Sequence, residues 1–274
     1  MRIYAALLGL TSRRASFLLV ILHAALVPVL CFGVDDGTQL ARAYLDEVSP
    51  RLDLPDEEQR YYGDLLTKLF AEKNITQAQY VVIADRNDFA QAAMIYWLSP
   101  ERVFHFIGAS PVSTGKPGKF DHFKTPTGIF RHTIENPDFR AEGTRNKLGI
   151  RGYGSKGMRV YDFGWQRAVR GWGSGGKSTM RLQMHATDPD ILESRMGSPQ
   201  SKGCIRIPGS LNLFIDHYGV IDADYEDALA LGNTFRVLSK TRQPTPWSGR
   251  FLVVVDSGRT AWPAWSAWAV RERR

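Results

Sequence analysis

Cysteine is scarce in this sequence: Cys31 and Cys204 are the two present among 274 residues. So low a number excludes a disulfide-stapled scaffold. Metal patterns are missing too. No second histidine falls at a ligand spacing from His185, although Asp188 and Asp190 follow it, and H-E-x-x-H does not occur. No metal and no cofactor is expected. Basic helices, zinc fingers, aromatic RNA-binding motifs and internal repeats are lacking. The formal charge of +7 is small and evenly spread, which argues against a nucleic-acid partner. The apolar run from Phe17 to Phe32 is broken by His23 and Pro28 and is short for a membrane span.

That run has another use. Arg2, Arg13 and Arg14 precede it, no acidic residue occurs before Asp35, and Cys31 and Gly33 stand at −3 and −1 of a cut before Val34. This is the layout of a secretory signal over residues 1–33, and export to the periplasm or cell envelope is expected. An uncleaved anchor is the alternative, with membrane contact through this segment alone. Cleavage removes three arginines and lowers the charge from +7 to +4, which favours an anionic partner such as a cell-wall polymer or a lipid surface. It also leaves Cys204 as the one thiol. Without an internal partner it is a buried bystander, an intermolecular bridge or a reactive group.

The remainder, with 43% hydrophobic and 23% charged residues, reads as globular. Residues 34–79 show helical spacing at Leu40, Ala43 and Tyr44, then at Tyr62, Leu65, Leu66 and Leu69, with a proline-marked break from Ser49 to Pro55. They form a helical preface. From Tyr80 the period shortens, and Tyr80–Ile83, Met94–Leu98 and Val103–Ile107 read as strands separated by turns. Ser110 to Thr127 reads as loop, and Gly149 to Lys177 as a long, Gly-rich insertion. Phe251–Val255 is a strand. Residues 80–256 make the main domain, and a tail over 257–274 carries Trp262, Trp265 and Trp268. The fold class is mainly β with a few helices.

The chemistry concentrates between Thr179 and Ser210. Met180, Leu182 and Met184 alternate with Arg181, Gln183 and His185, so a strand would put the imidazole on its polar face. A loop with Pro189, Gly197 and Pro199 leads to Ser201-Lys202-Gly203-Cys204-Ile205-Arg206-Ile207. There a short strand would turn Cys204 and Arg206 to one face and the isoleucines to the core. Ser210 reads as the cap of a helix with Leu211, Phe214, Ile215 and Tyr218 on one side and Gly219 at its end. A thiolate attacks where a thiol does not, and an imidazole beside it can take the proton. Lys202 and Arg206 would add positive potential, and the N–H groups of Gly203 and Cys204 are oxyanion-hole candidates. Taken singly, a lone cysteine is more often a small buried hydrophobe, and His105, His122, His132 and His217 read as surface residues or local hydrogen-bond partners.

His185, the loop, and Ser201-Lys202-Gly203-Cys204-Ile205-Arg206 resemble the signature of the L,D-transpeptidase catalytic domain, the YkuD domain. Val112-Ser113-Thr114-Gly115 and Thr125-Pro126-Thr127-Gly128 are similar to its flanking elements. The family has a histidine where this chain has Lys202. The resemblance implies a β-sandwich catalytic domain and two-step acyl transfer on peptidoglycan stem peptides. Cys204 would be nucleophile and His185 base, with Ser201 orienting His185, Gly203 at the oxyanion hole, and Arg206 and Lys202 as substrate-binding residues. The acceptor is a stem amine or a wall-anchored protein. A wall-amide hydrolase or L,D-carboxypeptidase on the same fold, and a non-catalytic wall-binding module, are the alternatives.

Overall fold

The computed structural model describes residues 37–273. The expected signal, Cys31 included, lies outside the described residues. Helix α1 (Thr38–Glu47) turns Leu40 and Tyr44 inward, and α2 (Asp56–Glu72) buries Tyr62, Leu66 and Phe70. Pro50 and Pro55 bracket the extended link between them, and Asp56, Glu57 and Glu58 occupy the first turn of α2, where carboxylates favour the helix dipole.

Ten strands follow among the described residues: β1 (Gln79–Asp85), β2 (Ala92–Leu98), β3 (Phe104–Pro111), β4 (Phe123–Lys124), β5 (Gly128–Arg131), β6 (Phe139–Arg140), β7 (Arg159–Arg170), β8 (Lys177–Ala186), β9 (Ile205–Ile207) and β10 (Phe251–Val255). One sheet has the order β3-β2-β1-β10-β5. The other has the order β4-β7-β8-β9, with β6 also on β7. Tyr80, Val82 and Ala84 of β1 meet Leu182, Met184, Ile205 and Ile207 of the second sheet in one core. Val81 and Ile83 face the other way and pack with Tyr62, Leu66 and Phe70 of α2. The first sheet is thus covered on both faces, which is why β1 and β2 are continuously apolar rather than alternating. The second sheet closes the sandwich with one face.

Helices α3 (Gly209–His217) and α4 (Ala223–Ala230) follow β9, and α5 (Ala267–Glu272) ends the tail. Trp265 of that tail is buried in the α2-side core, while Trp262 and Trp268 stack on each other with centroids 5.3 Å apart. No helix among the described residues is long and apolar enough to cross a membrane.

Three local expectations are corrected. The stretch from Gly149 to Lys177 is not one insertion, because it contains the twelve-residue strand β7. Its first half hides alternation: Arg159 and Asp162 are buried in polar contacts, and Gly164, at φ 73°, lies in the bulge that shifts register between Asp162 and Trp165. Ser210 is not the cap of α3. Pro208 holds that position, and the Ser210 hydroxyl bonds the Ser49 backbone, tying α3 to the segment after α1. Of the two readings of His132, the surface one is corrected and the hydrogen-bond partner holds: it is fully buried, with its ring nitrogens on Ile221 O at 2.8 Å and Asp138 Oδ1 at 2.9 Å.

Candidate active site

Strand β9 is three residues long, yet Ile205 and Ile207 are fully buried. Burying each isoleucine contributes about 1.5–3 kcal/mol, enough to seat so short an element. It runs parallel to β8, with Met184 opposite Ile205, His185 opposite Arg206 and Ala186 opposite Ile207. Side chains alternate across a strand. Gln183, His185 and Arg206 therefore share the face turned away from the core, while Cys204, immediately before β9, packs against the edge of the core beside β8. Asp162, opposite Gln183 on β7, joins that face. The pairing brings His185 opposite Arg206, two residues beyond Cys204.

The turn before Cys204 is held from three directions. The Ser201 hydroxyl donates to Cys204 O at 2.6 Å and accepts from Gly203 N at 3.0 Å. Thr125 Oγ1 accepts from Gly115 N at 2.8 Å and donates to Gly203 O at 2.7 Å. Ser113 and Arg206 exchange both backbone hydrogen bonds, at 3.0 and 2.9 Å. Gly203 sits at φ 138°, and a Cβ there would lie 2.7 Å from the Met180 side chain. A Cβ on Gly115 would lie 2.9 Å from Gly203 Cα. Only glycine fits at both places. The flanking segments 112–115 and 125–128 are the clamp on the cysteine turn.

Cys204 is half-buried, and its Sγ donates to Arg181 O at 3.7 Å. Burial pushes its thiol pKa up, the Gln183 backbone N–H and the Arg206 guanidinium pull it down, and Asp162 opposes them; the net shift is upward. His185 is 4% exposed, and burial brings its pKa down to about 4, with Arg206 pushing the same way. Its Nδ1 lies 2.7 Å from Ala186 O. A carbonyl can only accept, so Nδ1 carries the proton and Nε2 keeps a lone pair. No hydrogen bond joins His185 and Cys204. Arg206 acts on both, and its buried Nε has no hydrogen-bond partner among the described residues.

The remaining expected residues fall differently. Lys202 is exposed and pairs with Asp121 at 3.0 Å, so the positive charge acting on the sulfur comes from Arg206. Ser201 does not orient His185: its hydroxyl is engaged in the cysteine turn, and its carbonyl accepts from Lys116 N at 2.9 Å. The Gly203 N–H is taken by Ser201 Oγ.

Two residues of this face escaped sequence reasoning. Tyr153 stands edge-on to the His185 ring with centroids 4.8 Å apart, and its hydroxyl donates to Gln183 Oε1 at 3.3 Å. Asp162 accepts from Arg181 Nε at 2.7 Å and Gln183 Nε2 at 2.8 Å. Tyr153 lay in the Gly-rich run, where no periodicity marked it. Asp162 would have been visible only once β7 was recognised as a strand. Arg151 and Arg145 tie the loop carrying Tyr153 to Asp190, at 2.7 and 2.9 Å. Next to Tyr153 opens a cavity of about 450 Å³, lined by Arg140, Glu142 and Thr144 among others.

A half-buried thiol, a neutral imidazole with a defined tautomer and an unpaired guanidinium at one strand pairing can perform nucleophilic acyl transfer. The family model of the YkuD L,D-transpeptidase catalytic domain matches residues 79–216, half of the chain. No curated protein matches it.

Proposed function

The chain belongs to the L,D-transpeptidase catalytic domain family, and on that footing we propose that it is an exported cell-wall acyltransferase with Cys204 as nucleophile and His185 as base. The donor is a peptidoglycan tetrapeptide stem. Nε2 of His185 takes the thiol proton as Sγ bonds to the carbonyl carbon of the diaminopimelate residue. The Cys204 N–H, the backbone donor next to the sulfur, supports the oxyanion, since the Gly203 N–H is already engaged. The C–N bond then breaks, the imidazole returns its proton to the departing D-alanine amine, and a thioester remains. A side-chain amine of a second stem, or of a wall-anchored protein, attacks the thioester and restores the thiol. Arg206 receives a stem carboxylate, for which its fixed planar fork is suited. Ser201 and Gly203 position the turn. Lys202 lies at the rim.

The observation that carries this reading is His185 opposite Arg206 at the β8–β9 pairing, with Cys204 just ahead of β9 and the Nδ1–H of His185 donated to the Ala186 carbonyl. Incubating the protein with purified tetrapeptide stems, with and without an amine acceptor, tests it. Amide-linked product and a transient acyl mass on Cys204 are expected. Free acid alone would replace the transferase with a hydrolase. No acyl mass with stems or with a penem would leave a non-catalytic wall-binding module.

A further inference from the structure

The loop between His185 and Cys204 ends in a stretch held from two sides. On one side it is bonded to the segment after β3. Gly197 N donates to Val112 O at 2.8 Å, and Gln200 N and Ser201 N both donate to Thr114 O at 2.9 Å. Thr114 is fixed in turn, with its N–H on Gln91 Oε1 at 2.8 Å. Ser201 carries the constraint to the nucleophile, because its hydroxyl bonds Cys204 O. On the other side the loop meets the C-terminal tail. A Cβ on Gly197 would lie 2.5 Å from the Ala267 Cβ, so loop and α5 touch without a gap. Four residues on, and so on the same face of α5, Arg271 donates to Met196 O and lies over the Trp268 ring, 5.7 Å from its centroid.

The tail is itself anchored. Trp265 is buried and packs, with Ala267, in the core that holds Tyr62, Leu66 and Phe70 of α2. Arg259 lies over the Trp265 ring at 5.5 Å and pairs with Glu58 of α2. The Asn87 amide holds the start of the tail, donating to Asp256 Oδ1 at 3.1 Å and Arg259 O at 3.2 Å. A helix as short as α5 has little stability alone, so these contacts are what keep it in place. The tail thus links the α2-side core to the loop that joins the imidazole strand to the thiol turn.

We propose that Ala267 and Arg271 are positioning residues for acylation of Cys204. They hold Met196 and Gly197 against Val112, and through Thr114 and Ser201 that contact fixes the direction of the sulfur. The inference rests on the reading of Cys204 as nucleophile. What the tail supplies is aim, since the charges that act on the thiol, Arg206 and Asp162, lie outside it. Aim matters steeply: a shift of about 1 Å can cost about 100-fold in rate.

The experiment compares the full chain with Arg271→Ala, Arg271→Lys, Gly197→Ala and the double variant Gly197→Ala/Ala267→Gly. Three quantities are measured: single-turnover acylation of Cys204 by a tetrapeptide stem, iodoacetamide alkylation against pH, and hydrogen exchange at the amides of Gly197, Gln200 and Ser201. Arg271→Ala should speed exchange at those three amides and lower the acylation rate at saturating stem about tenfold. The half-saturating stem concentration should stay within about twofold, and the alkylation inflection should not move. Lysine at 271 keeps a donor and should recover most of the rate. Gly197→Ala drives a methyl group into Ala267 and should lose more. The double variant removes the opposing methyl and should regain part of the rate, although the φ of 96° at position 197 strains alanine equally in both. Faster exchange with wild-type acylation would overturn the inference. So would unchanged exchange in Arg271→Ala, a double variant no better than the single one, or exchange accelerated throughout the chain, which would reduce the tail to a support of the fold. If the wild type were not acylated at all, the acyl-transfer reading would fail, while the exchange comparison would still judge the grip of the tail on the loop.

Discussion

His185 and Arg206 stand opposite each other on adjacent parallel strands, and the guanidinium lowers the pKa of both the imidazole and the Cys204 thiol. The two effects pull in different directions for the proposed acyl transfer: the sulfur ionises more easily than its burial alone would allow, whereas the imidazole is held neutral but made a weaker base. Replacing Arg206 by glutamine removes the charge and keeps a polar side chain. The imidazole pKa then rises from about 4 toward its ordinary 6.5, and the thiol pKa rises further. Iodoacetamide alkylation of Cys204, followed against pH, should shift its inflection upward in the variant. The acid limb of kcat/KM should shift the same way, and KM for stems should rise about tenfold. Unmoved inflections would remove Arg206 from the electrostatics of the site.

Tyr153 shields the imidazole from water with its ring. Burial is the largest cause of the low His185 pKa, so exposing the ring to solvent should undo much of it. Tyr153→Ala should raise the acid limb of kcat/KM from near pH 4 toward 6.5 and lower the rate at pH 5 about tenfold. Tyr153→Phe keeps the packing and loses only the 3.3 Å bond to Gln183. Its limb should coincide with that of the wild type. NMR titration of the His185 ring gives the same comparison without turnover, and equal behaviour of the two variants would assign the effect to the hydroxyl instead.

Much of this face was legible in the sequence because it obeys simple periods. Met180, Leu182 and Met184 against Arg181, Gln183 and His185 is strand alternation, and Ile205 and Ile207 around Arg206 is the same device over three residues. What periodicity conveys is which face a side chain takes, not what lies across the gap. It could not show that Ser201 folds its hydroxyl onto its own turn, or that Lys202 swings outward to Asp121. Strand β7 was obscured for a different reason. Arg159 is fully buried, and a run with a buried arginine and a central glycine looks like loop. Its burial is explicable only once Asp138, Asp216 and Asp222 are brought in from distant segments.

That buried cluster sets a pH limit on stability. Arg159 meets Asp138 and Asp222 at 2.7 Å each, and His132 closes the group between Asp138 and the Ile221 carbonyl. Burial alone would lower the His132 pKa, but the charge and hydrogen bond of Asp138 outweigh it, and the net shift is upward. Both ring nitrogens face acceptors, which suits the doubly protonated ring. A raised folded pKa gives stability that is complete below the unfolded value near 6.5 and is lost as pH climbs through the folded one. Thermal unfolding between pH 6 and pH 9 should therefore show falling stability in the wild type and a flatter profile in His132→Gln. Parallel profiles would exclude His132 as the source. Arg159→Met, which strands the carboxylates, should cost roughly 3–5 kcal/mol.

The clamp on the cysteine turn makes a separable prediction. Thr125 Oγ1 satisfies Gly115 N and Gly203 O together, and all three residues lie at the turn that aims the sulfur. Valine at position 125 has nearly the same shape and no hydroxyl, so it leaves a buried donor and a buried acceptor unpaired. Each unpaired group costs about 1–3 kcal/mol. The groups sit beside Gly203, whose φ of 138° depends on its neighbours holding it there. The strain should therefore be released by a shift of the turn. Thr125→Val should lower the unfolding free energy by a few kcal/mol and reduce acylation of Cys204 more than tenfold in the folded protein. Thr125→Ser restores the hydroxyl and should recover most of both. Single-turnover acylation measured by mass, alongside urea unfolding, separates the two effects. A valine variant that loses stability but acylates at the wild-type rate would show that Thr125 supports the fold without aiming the nucleophile.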